Sequence, residues 1–209
     1  MKRMTVVAAA AALILSACAG NPEGKKAETA DAIESGEAVG TAYQVDTTQS
    51  TVKWTGTKMT GAHEGTVNIK SGELFVDNEA ITGGSFVLDM NTISSTDLDG
   101  EYKEKLDGHL KAEDFFNVAA NPEASFQITE VKAGASANEV KISGNLTIKG
   151  ISKNITFDAK VDELTETTVK ASADFNIARE DWGVNYSGKE DDLISKEINF
   201  KIALVATKA

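Results

Sequence analysis

The side chains that most often carry out chemistry in proteins are scarce in this sequence. The chain has two histidines, His63 and His109, and one cysteine, Cys18. The histidines lack the His-x-x-x-His spacing of a helical zinc site, and they have no cysteine partner for a tetrahedral one. No Gly-x-Ser-x-Gly segment is present that would mark an exposed serine nucleophile. The sequence therefore predicts neither a metal site nor a catalytic function.

Cys18 follows a short apolar segment near the amino terminus. Two basic residues precede an apolar run from Val6 to Leu15 that is too short to span a bilayer, as in a secretory signal peptide. The run ends in Leu15-Ser16-Ala17-Cys18, which resembles a bacterial lipobox. We therefore expect residues 1–17 to be removed as a signal peptide. Cys18 would then carry the acyl chains of a lipoprotein, which anchor a protein stably to a membrane.

The predicted anchor and the net charge restrict the location and partners of the chain. Ala19 rather than Asp follows the cysteine, which in many Gram-negative bacteria favours the outer membrane, with the domain facing the periplasm. Because residues 1–17 contain two basic residues and no acidic one, their removal lowers the formal net charge from −11 to −13. So acidic a chain is a poor candidate for binding nucleic acid or anionic membrane surfaces. Residues 18–41 are rich in Ala, Gly, Glu and Thr, and we expect a flexible acidic tether there, followed by a domain over residues 42–209.

One segment of the domain has helical periodicity. Apolar residues recur at every fourth position: Leu98, Tyr102, Leu106 and Leu110. This spacing predicts the apolar face of a helix. A candidate N-cap at Ser95 or Thr96 and a candidate breaker at Gly108 predict a short helix near residues 96–107.

Elsewhere from residue 43 onward, apolar residues alternate with polar ones. The clearest runs are Ile142–Ile148, Ile155–Val161, Val169–Ile177 and Ile198–Leu204, with shorter ones around Trp54 and Phe86. Each such strand buries one face and exposes the other. Because almost no helix is available to cover the apolar faces, the strands must bury them on each other, as a sandwich or a barrel. The pattern predicts an all-β, antiparallel fold.

The helical segment and the strands together resemble a known family. His109-Leu110-Lys111-x-x-Asp114-Phe115-Phe116, followed by Asn121-Pro122-x-x-x-Phe126, is similar to the hallmark segment of the YceI-like family of polyisoprenoid- and lipid-binding proteins. The resemblance extends from about Tyr43 to Thr207 and includes Val140–Gly150 and Ile177–Gly183. It implies a lipocalin-like antiparallel β-barrel of about eight strands with one short helix. It also implies a long apolar channel that holds an isoprenoid or fatty chain.

The alternation assigns particular residues to the inside of such a barrel. These inward positions combine large and very small side chains: Trp54, Phe86, Leu88, Phe126, Gly144, Leu146, Phe157, Ala159, Ala171, Ala173, Phe175 and Phe200. Small residues packed against large ones can fill a tapering barrel completely. The resemblance implies instead a hollow barrel in which these residues line the ligand channel. The residues by themselves leave both interpretations open.

Polar and aromatic residues near the predicted loops and the helix are candidates for the mouth of the channel. They are His63, His109, Lys111, Asp114, Arg179 and Trp182. Arg179 and Trp182 end the most regular strand, where an ion pair that closes a turn is the first expectation. The alternative is that Arg179 contacts a polar head group and Trp182 covers the ligand chain. For the others, a turn or a solvated helix position is the simpler interpretation.

These observations predict a non-catalytic envelope lipoprotein that binds one long-chain apolar molecule and needs no other cofactor. The molecule would be a polyisoprenoid, an isoprenoid quinone or a fatty-acid derivative, held for carriage, storage or sequestration. The acidic surface favours a neutral head group over a diphosphate. The alternative is a packed barrel without a lipid ligand that serves as an interaction or structural module of the envelope. The sequence leaves the oligomeric state open, a dimer included.

Overall fold

The computed structural model describes residues 20–209, so the predicted signal peptide and Cys18 lie outside the described residues. The strands are β1 (Lys25–Lys26), β2 (Glu28–Asp31), β3 (Thr41–Val45), β4 (Thr51–Lys58), β5 (Gly61–Asp77), β6 (Ala80–Ser95), β7 (Glu123–Ala133), β8 (Glu139–Ile148), β9 (Ile151–Leu164), β10 (Thr168–Ala178), β11 (Gly188–Lys189) and β12 (Asp192–Lys208). Within this range there is one α-helix, α1 (Gly100–Lys111), and a short 3-10 helix at Arg179–Trp182. None of the helices between residues 20 and 209 has both the length and the apolar character needed to cross a membrane.

Eight of the strands form a closed antiparallel barrel. Their order is β4–β5–β6–β7–β8–β9–β10–β12, and the ladder between β12 and β4 closes the circle. β3 extends the wall beyond β4, where it pairs with the far ends of β12 and β5. The predicted all-β antiparallel barrel of eight strands with one short helix is thereby confirmed. Since successive side chains of a strand point to opposite faces, the period of two in the sequence becomes an apolar interior and a polar exterior.

The two ends of the barrel differ. α1, the 3-10 helix, the β4–β5 turn and the β8–β9 turn all lie at one end, which we call the helix end. The β5–β6 turn at Asn78 and Glu79 and the β9–β10 turn lie at the opposite end. The helix end therefore carries most of the irregular structure of the domain.

The helix begins and ends about four residues later than the sequence predicts. Thr96 lies just beyond the end of β6, where its N–H still donates to the carbonyl of Glu64 at 2.9 Å, and Asp99 is the N-cap. Gly108 does not break the helix, which runs on to Lys111. The predicted range of 96–107 is therefore corrected to 100–111, since hydrogen bonding to β5 keeps the first residues extended.

The N-terminal segment runs along the barrel wall. β9 and β10 pair only over Ala159–Leu164 and Val169–Ala173, and they separate toward the helix end. β1 pairs in parallel with the free edge of β10, and β2 pairs antiparallel with the free edge of β9. Ala27, between the two short strands, is buried. The expected flexible tether is therefore wrong for residues 25–31, because the open strand edges offer this segment backbone hydrogen bonds.

Two ion pairs accompany this docking of the N-terminal segment. Lys25 Nζ lies 2.6 Å from a carboxylate oxygen of Asp158, and Lys153 Nζ lies 2.9 Å from one of Asp31. All four side chains are substantially exposed to solvent, so each pair stabilises the contact only modestly. The backbone ladders with β9 and β10 are the main connection.

Candidate functional site

An elongated apolar cavity of about 220 Å³ runs through the interior of the barrel. All eight barrel strands contribute side chains to its wall, as do α1 and the segment that follows it. A single ordered water needs about 10–15 Å³ of such space, so this cavity is far larger than a packing defect. The inward side chains of Phe86, Leu88 and Phe126 are only partly buried, as expected for residues that face open space. The barrel is hollow, which favours the second of the two interpretations of its interior.

Five phenylalanine rings form a band across the cavity wall. Phe157 and Phe175 stack with their centroids 4.0 Å apart. Phe126 lies 5.7 Å from Phe157 and 6.4 Å from Phe86, and Phe200 lies 6.0 Å from Phe175. The rings come from β6, β7, β9, β10 and β12, so the band is interrupted only at β8. Aromatic contacts of this kind stabilise the wall beyond the area that the rings bury.

Gly144 occupies the position on β8 where the band is interrupted. A Cβ atom at this residue would lie 2.3 Å from Cζ of Phe126, a distance that real Cβ atoms do not show. The ring of Phe126 therefore lies over Gly144 and reaches toward Phe157. The expectation that Gly144 lines the channel is corrected, because the aromatic ring separates its backbone from the open space.

The other predicted channel residues do face the cavity. They are Trp54, Phe86, Leu88, Phe126, Leu146, Phe157, Ala159, Ala171, Ala173, Phe175 and Phe200. Three of these are alanines on the neighbouring strands β9 and β10, whose small side chains leave room that larger ones would fill. The alternation locates these residues because it fixes which face of each strand points inward.

Further lining residues were not among the predicted channel residues. At the helix end the wall includes Leu106, Leu110, Phe115 and Phe116. Elsewhere it includes aliphatic side chains of the strands, among them Leu74, Ile81, Met90, Ile128, Ile142, Ile155 and Ile202. The signal for the first group is the four-residue spacing of α1, which also fits simple packing on a core. The helix therefore forms a wall of the cavity as well as a crossover between strands.

Most of the polar groups in the wall lie at the helix end. Arg179 is 2% exposed, and its Nε donates to the carbonyl of Ser195 at 2.8 Å, while a terminal nitrogen donates to the carbonyl of Val184. Among residues 20–209, no carboxylate lies within ion-pair distance of this guanidinium, so the expected ion pair is replaced by carbonyl contacts. Burial lowers the pKa of Arg179 from its ordinary value, and the nearby Glu180 partly opposes this change. Arg179 both closes the turn and places a cation at the cavity wall.

His63 lies on β5 at the same end of the cavity. Its Nδ1 is 2.8 Å from a carboxylate oxygen of Asp97, which also accepts the backbone N–H of Glu64 through its other oxygen. Burial acts to raise the pKa of Asp97, but the hydrogen bonds from His63 and Glu64 outweigh it, and the net change is a decrease. His63 lines the cavity and is held in place by this carboxylate. In the part of the chain that the structure describes, no group of three His, Cys, Asp or Glu side chains is placed to hold a metal ion.

The other residues predicted for the mouth lie away from the cavity lining. Trp182 is fully buried, and its Nε1 donates to the carbonyl of Leu146 at 2.9 Å, so it is a core residue that does not cover the cavity. His109 packs edge-on against Tyr186 with ring centroids 4.4 Å apart, and its Nε2 lies 3.3 Å from Asp114. Lys111 ends α1 without reaching the cavity wall. These mouth assignments are corrected, because the turn after β10 and the end of α1 pack on each other and on the outside of the cavity.

Comparison with known proteins supports the architecture. Curated relatives include a UPF0312 protein of Pseudomonas aeruginosa, 43% identical over 70 residues, and Protein YceI of Escherichia coli O157:H7, 40% identical over 70 residues. Each match covers 34% of this chain and 35% of the relative, so the chain aligns with about a third of the length of these curated relatives.

Two solved structures share the fold over most of the chain. BcnA of Burkholderia cenocepacia has a TM-score of 0.64 and 21% identity, and the match covers 78% of this chain and 99% of BcnA. A polyisoprenoid binding domain from Saccharophagus degradans has a TM-score of 0.64 and 17% identity, with 81% of this chain and 99% of that domain covered. The family model described as the YceI-like domain matches residues 43–206 of the sequence, which span the barrel. The chain belongs to the YceI-like family.

Proposed function

We propose that the barrel binds one long-chain apolar molecule of the polyisoprenoid, isoprenoid quinone or fatty-acid type, and that it performs no chemistry on it. The observation that carries this proposal is the hollow interior, whose wall is almost wholly apolar. Transfer of a hydrocarbon chain from water into such a cavity gains about 25 cal/mol per Å² of apolar surface buried. The structural similarity to a polyisoprenoid binding domain from Saccharophagus degradans supports the same class of ligand.

The shape of the cavity favours a chain over a compact ligand. On β12 the lining residues run from Ile194 to Leu204. Ten residues of strand correspond to about 33 Å, and the usual tilt of barrel strands reduces this to about 25 Å along the axis. An elongated, narrow space of this kind is suited to a linear or regularly branched hydrocarbon.

The polar groups at the helix end would fix the orientation of the ligand. Arg179 places a guanidinium at this end of the wall, whereas the Nδ1 of His63 is engaged by Asp97, so an oxygen acceptor on the ligand would be placed near Arg179. The acidic chain, with a formal charge of −11 for the full sequence, disfavours an anionic diphosphate. We propose a neutral head group with an oxygen acceptor, such as a quinone, an alcohol or an amide.

We further propose that the protein is a lipoprotein of the bacterial envelope. The lipobox-like Leu15-Ser16-Ala17-Cys18 supports acylation of Cys18, and Ala19 favours the outer membrane with the barrel facing the periplasm. Binding close to a membrane suits a ligand that is too apolar to exist free in water. The barrel would then carry, store or sequester that ligand.

The proposal is tested by native mass spectrometry of the full chain purified gently from its own membranes. The expected spectrum shows the acylated chain with the added mass of one further molecule, which solvent extraction identifies as a long-chain lipid. Matched purification of the Ala173→Phe variant, in which the new ring enters the cavity, should give the same acylated chain without that added mass. A wild-type chain that carries no additional lipid, and binds none when offered, would contradict the proposal.

A further inference from the structure

Residues 20–27 are attached to the outside of the barrel at the helix end. The carbonyl of Gly20 accepts a hydrogen bond from the Thr57 hydroxyl, and Asn21 accepts one from the Ser195 hydroxyl at 2.9 Å. The carbonyl of Pro22 accepts from the Asn176 side chain at 2.9 Å. β1 and the N–H of Ala27 then continue the contact along β10. We call residues 20–27 the strap.

The barrel wall beneath the strap is shaped to receive it. Asn176 and Asn199 alternate with inward-facing residues, so they lie on the outer face, yet they are only 1% and 2% exposed. Asn199 donates to Asn176 at 2.9 Å, which leaves the Asn176 amide group free to donate to the strap. A Cβ atom on Gly24 would lie 2.4 Å from Asn176 Oδ1, and the φ of Gly24 is +136°, so glycine is required there. The position of the strap is therefore specified by side chains of the barrel.

The strap determines where the predicted anchor leaves the barrel. Cys18 precedes Gly20 by only two residues in the sequence, and two residues of extended chain span at most about 7 Å. The carbonyl of Gly20 accepts a hydrogen bond from the hydroxyl of Thr57, and Thr57 is one of the residues that line the cavity at the helix end. An acyl group on Cys18 would therefore be held beside the polar end of the cavity, without a long linker between them.

The same end of the barrel presents exposed apolar side chains. Met59 in the β4–β5 turn is 41% exposed, and Leu193 at the start of β12 is 38% exposed. The two residues are adjacent, because the N–H of Met59 donates to the carbonyl of Leu193 at 3.1 Å. Lys58 and Asp192 flank them as an ion pair of 2.7 Å, and the exposed Lys189, Glu190 and Asp191 add one net negative charge beside them. Ile151, in the β8–β9 turn of the same end, is 39% exposed.

From these observations we propose that the rim formed by Met59, Leu193 and Ile151 rests on the surface of the phospholipid bilayer in which the acyl chains of Cys18 are inserted. The inference rests on the acylation of Cys18 that is part of the proposed function. Exposed apolar side chains suit insertion at the level of the lipid head groups, and the short chain from Cys18 to the strap leaves little freedom for another orientation. The polar end of the cavity then faces the membrane. The ligand can pass between bilayer and barrel without crossing water.

The test measures which end of the full-length, naturally acylated protein is shielded by membrane. Acylation of Cys18 uses its thiol, so Met59→Cys and Leu193→Cys each introduce a single site for a spin label. Val39→Cys is the matched control, since Val39 is 63% exposed and its carbonyl accepts from Thr82, near the opposite end. The proteins are reconstituted in vesicles of phosphatidylcholine and phosphatidylethanolamine, whose zwitterionic head groups do not repel the acidic chain. Labels at positions 59 and 193 should be several-fold less accessible to a water-soluble nickel relaxant than the label at position 39.

Equal accessibility of the three labels would overturn the inference, and so would a protein that has no acyl group and does not associate with the vesicles. Titration of the same samples with a fluorescent fatty-chain probe separates this result from the proposed function. Accessible rim labels together with normal probe binding would remove only the membrane contact. Shielded rim labels without any probe binding would leave the membrane contact and contradict the apolar ligand.

Discussion

Arg179 and Trp182 lie close together at the end of β10 but have different surroundings. Arg179 is part of the cavity wall, and it stabilises the turn through hydrogen bonds to the carbonyls of Ser195 and Val184. Trp182 is enclosed by the protein and bonded to the carbonyl of Leu146. Their spacing in the sequence could not separate these roles, because the alternation ends with the strand and the 3-10 helix rotates the following side chains. At this scale, the structure assigns Arg179 to the cavity wall and Trp182 to the packed core.

Replacing Trp182 by Phe should therefore affect stability more than binding. The change leaves the carbonyl of Leu146 without its donor, which should lower the free energy of unfolding by about 1–3 kcal/mol. Affinity for a fluorescent fatty-chain probe should stay near the wild-type value. His63→Ala is the comparison, since it alters the cavity wall and should change affinity with a smaller loss of stability. Urea denaturation and probe titration measure both quantities, and a Trp182→Phe variant of full stability that no longer binds would place Trp182 at the ligand.

At the scale of elements, α1 is fastened to β6 by Asp107 together with Lys103, whose ammonium donates to Ser94 and to the carbonyl of Ser95. Asp107 accepts hydrogen bonds from the Ser94 hydroxyl and the Ser95 N–H, both at 2.7 Å, and its ion pair with Lys103 spans 3.2 Å. Burial acts to raise the pKa of Asp107, but these hydrogen bonds outweigh it and the pKa falls below its ordinary value of 3.8. Because the folded pKa is depressed, this contribution to stability is complete above pH 3.8 and is lost as the pH falls through the lower, folded value.

Asp107→Asn should remove this contribution and its pH dependence together. We expect a loss of about 1–3 kcal/mol in the free energy of unfolding near pH 7, since two hydrogen bonds to a charged group are weakened. The difference from the wild type should shrink as the pH is lowered below 3.8. Glu101→Gln is the control, because Glu101 is exposed and pairs only with Lys105 on the same helix. Urea denaturation between pH 7 and pH 3 provides the comparison, and an unchanged difference at every pH would show that Asp107 does not fasten the helix as a carboxylate.

The strands were more predictable than the segments that join or cover them. A strand such as β10 shows its inward face in the sequence, so Ala171, Ala173 and Phe175 could be assigned to the interior. β1 and β2 show no alternation of apolar and polar residues. They are held by backbone groups at the separated edges of β9 and β10, and such pairing does not require an apolar face. The start of α1 was shifted because Thr96 bonds across to β5, a contact between distant parts of the chain that local capping patterns do not report.

At the scale of the whole molecule, the barrel encloses an open apolar cavity beside a packed core. The band of five phenylalanines narrows the cavity, and the alanines of β9 and β10 widen it. The N-terminal segment spans the opening between β9 and β10 on the outside, with β1 paired to β10 and β2 paired to β9. A protein that folds around an empty apolar interior forgoes packing contacts. Occupation of that interior by a hydrocarbon chain would recover them.

The central claim is that the cavity is a site for an apolar chain. Substitutions at two residues of β10 whose side chains both point into the barrel test this claim. Ala173 lines the cavity, whereas Val169 is 1% exposed and lies in the packed part of the interior. Phenylalanine at position 169 must overpack its surroundings, at a cost of about 1–3 kcal/mol. At position 173 the ring can enter the space that the ligand would otherwise occupy.

The decisive measurement is thermal melting and titration with a fluorescent isoprenoid or fatty-chain probe, made on the same samples of wild type, Ala173→Phe and Val169→Phe. We expect the wild type to bind the probe. Ala173→Phe should melt at or slightly above the wild-type temperature while its affinity for the probe collapses, and Val169→Phe should melt several degrees lower. A wild type that binds no probe, together with an Ala173→Phe variant as destabilised as Val169→Phe, would contradict the claim and show that the interior is a packed core.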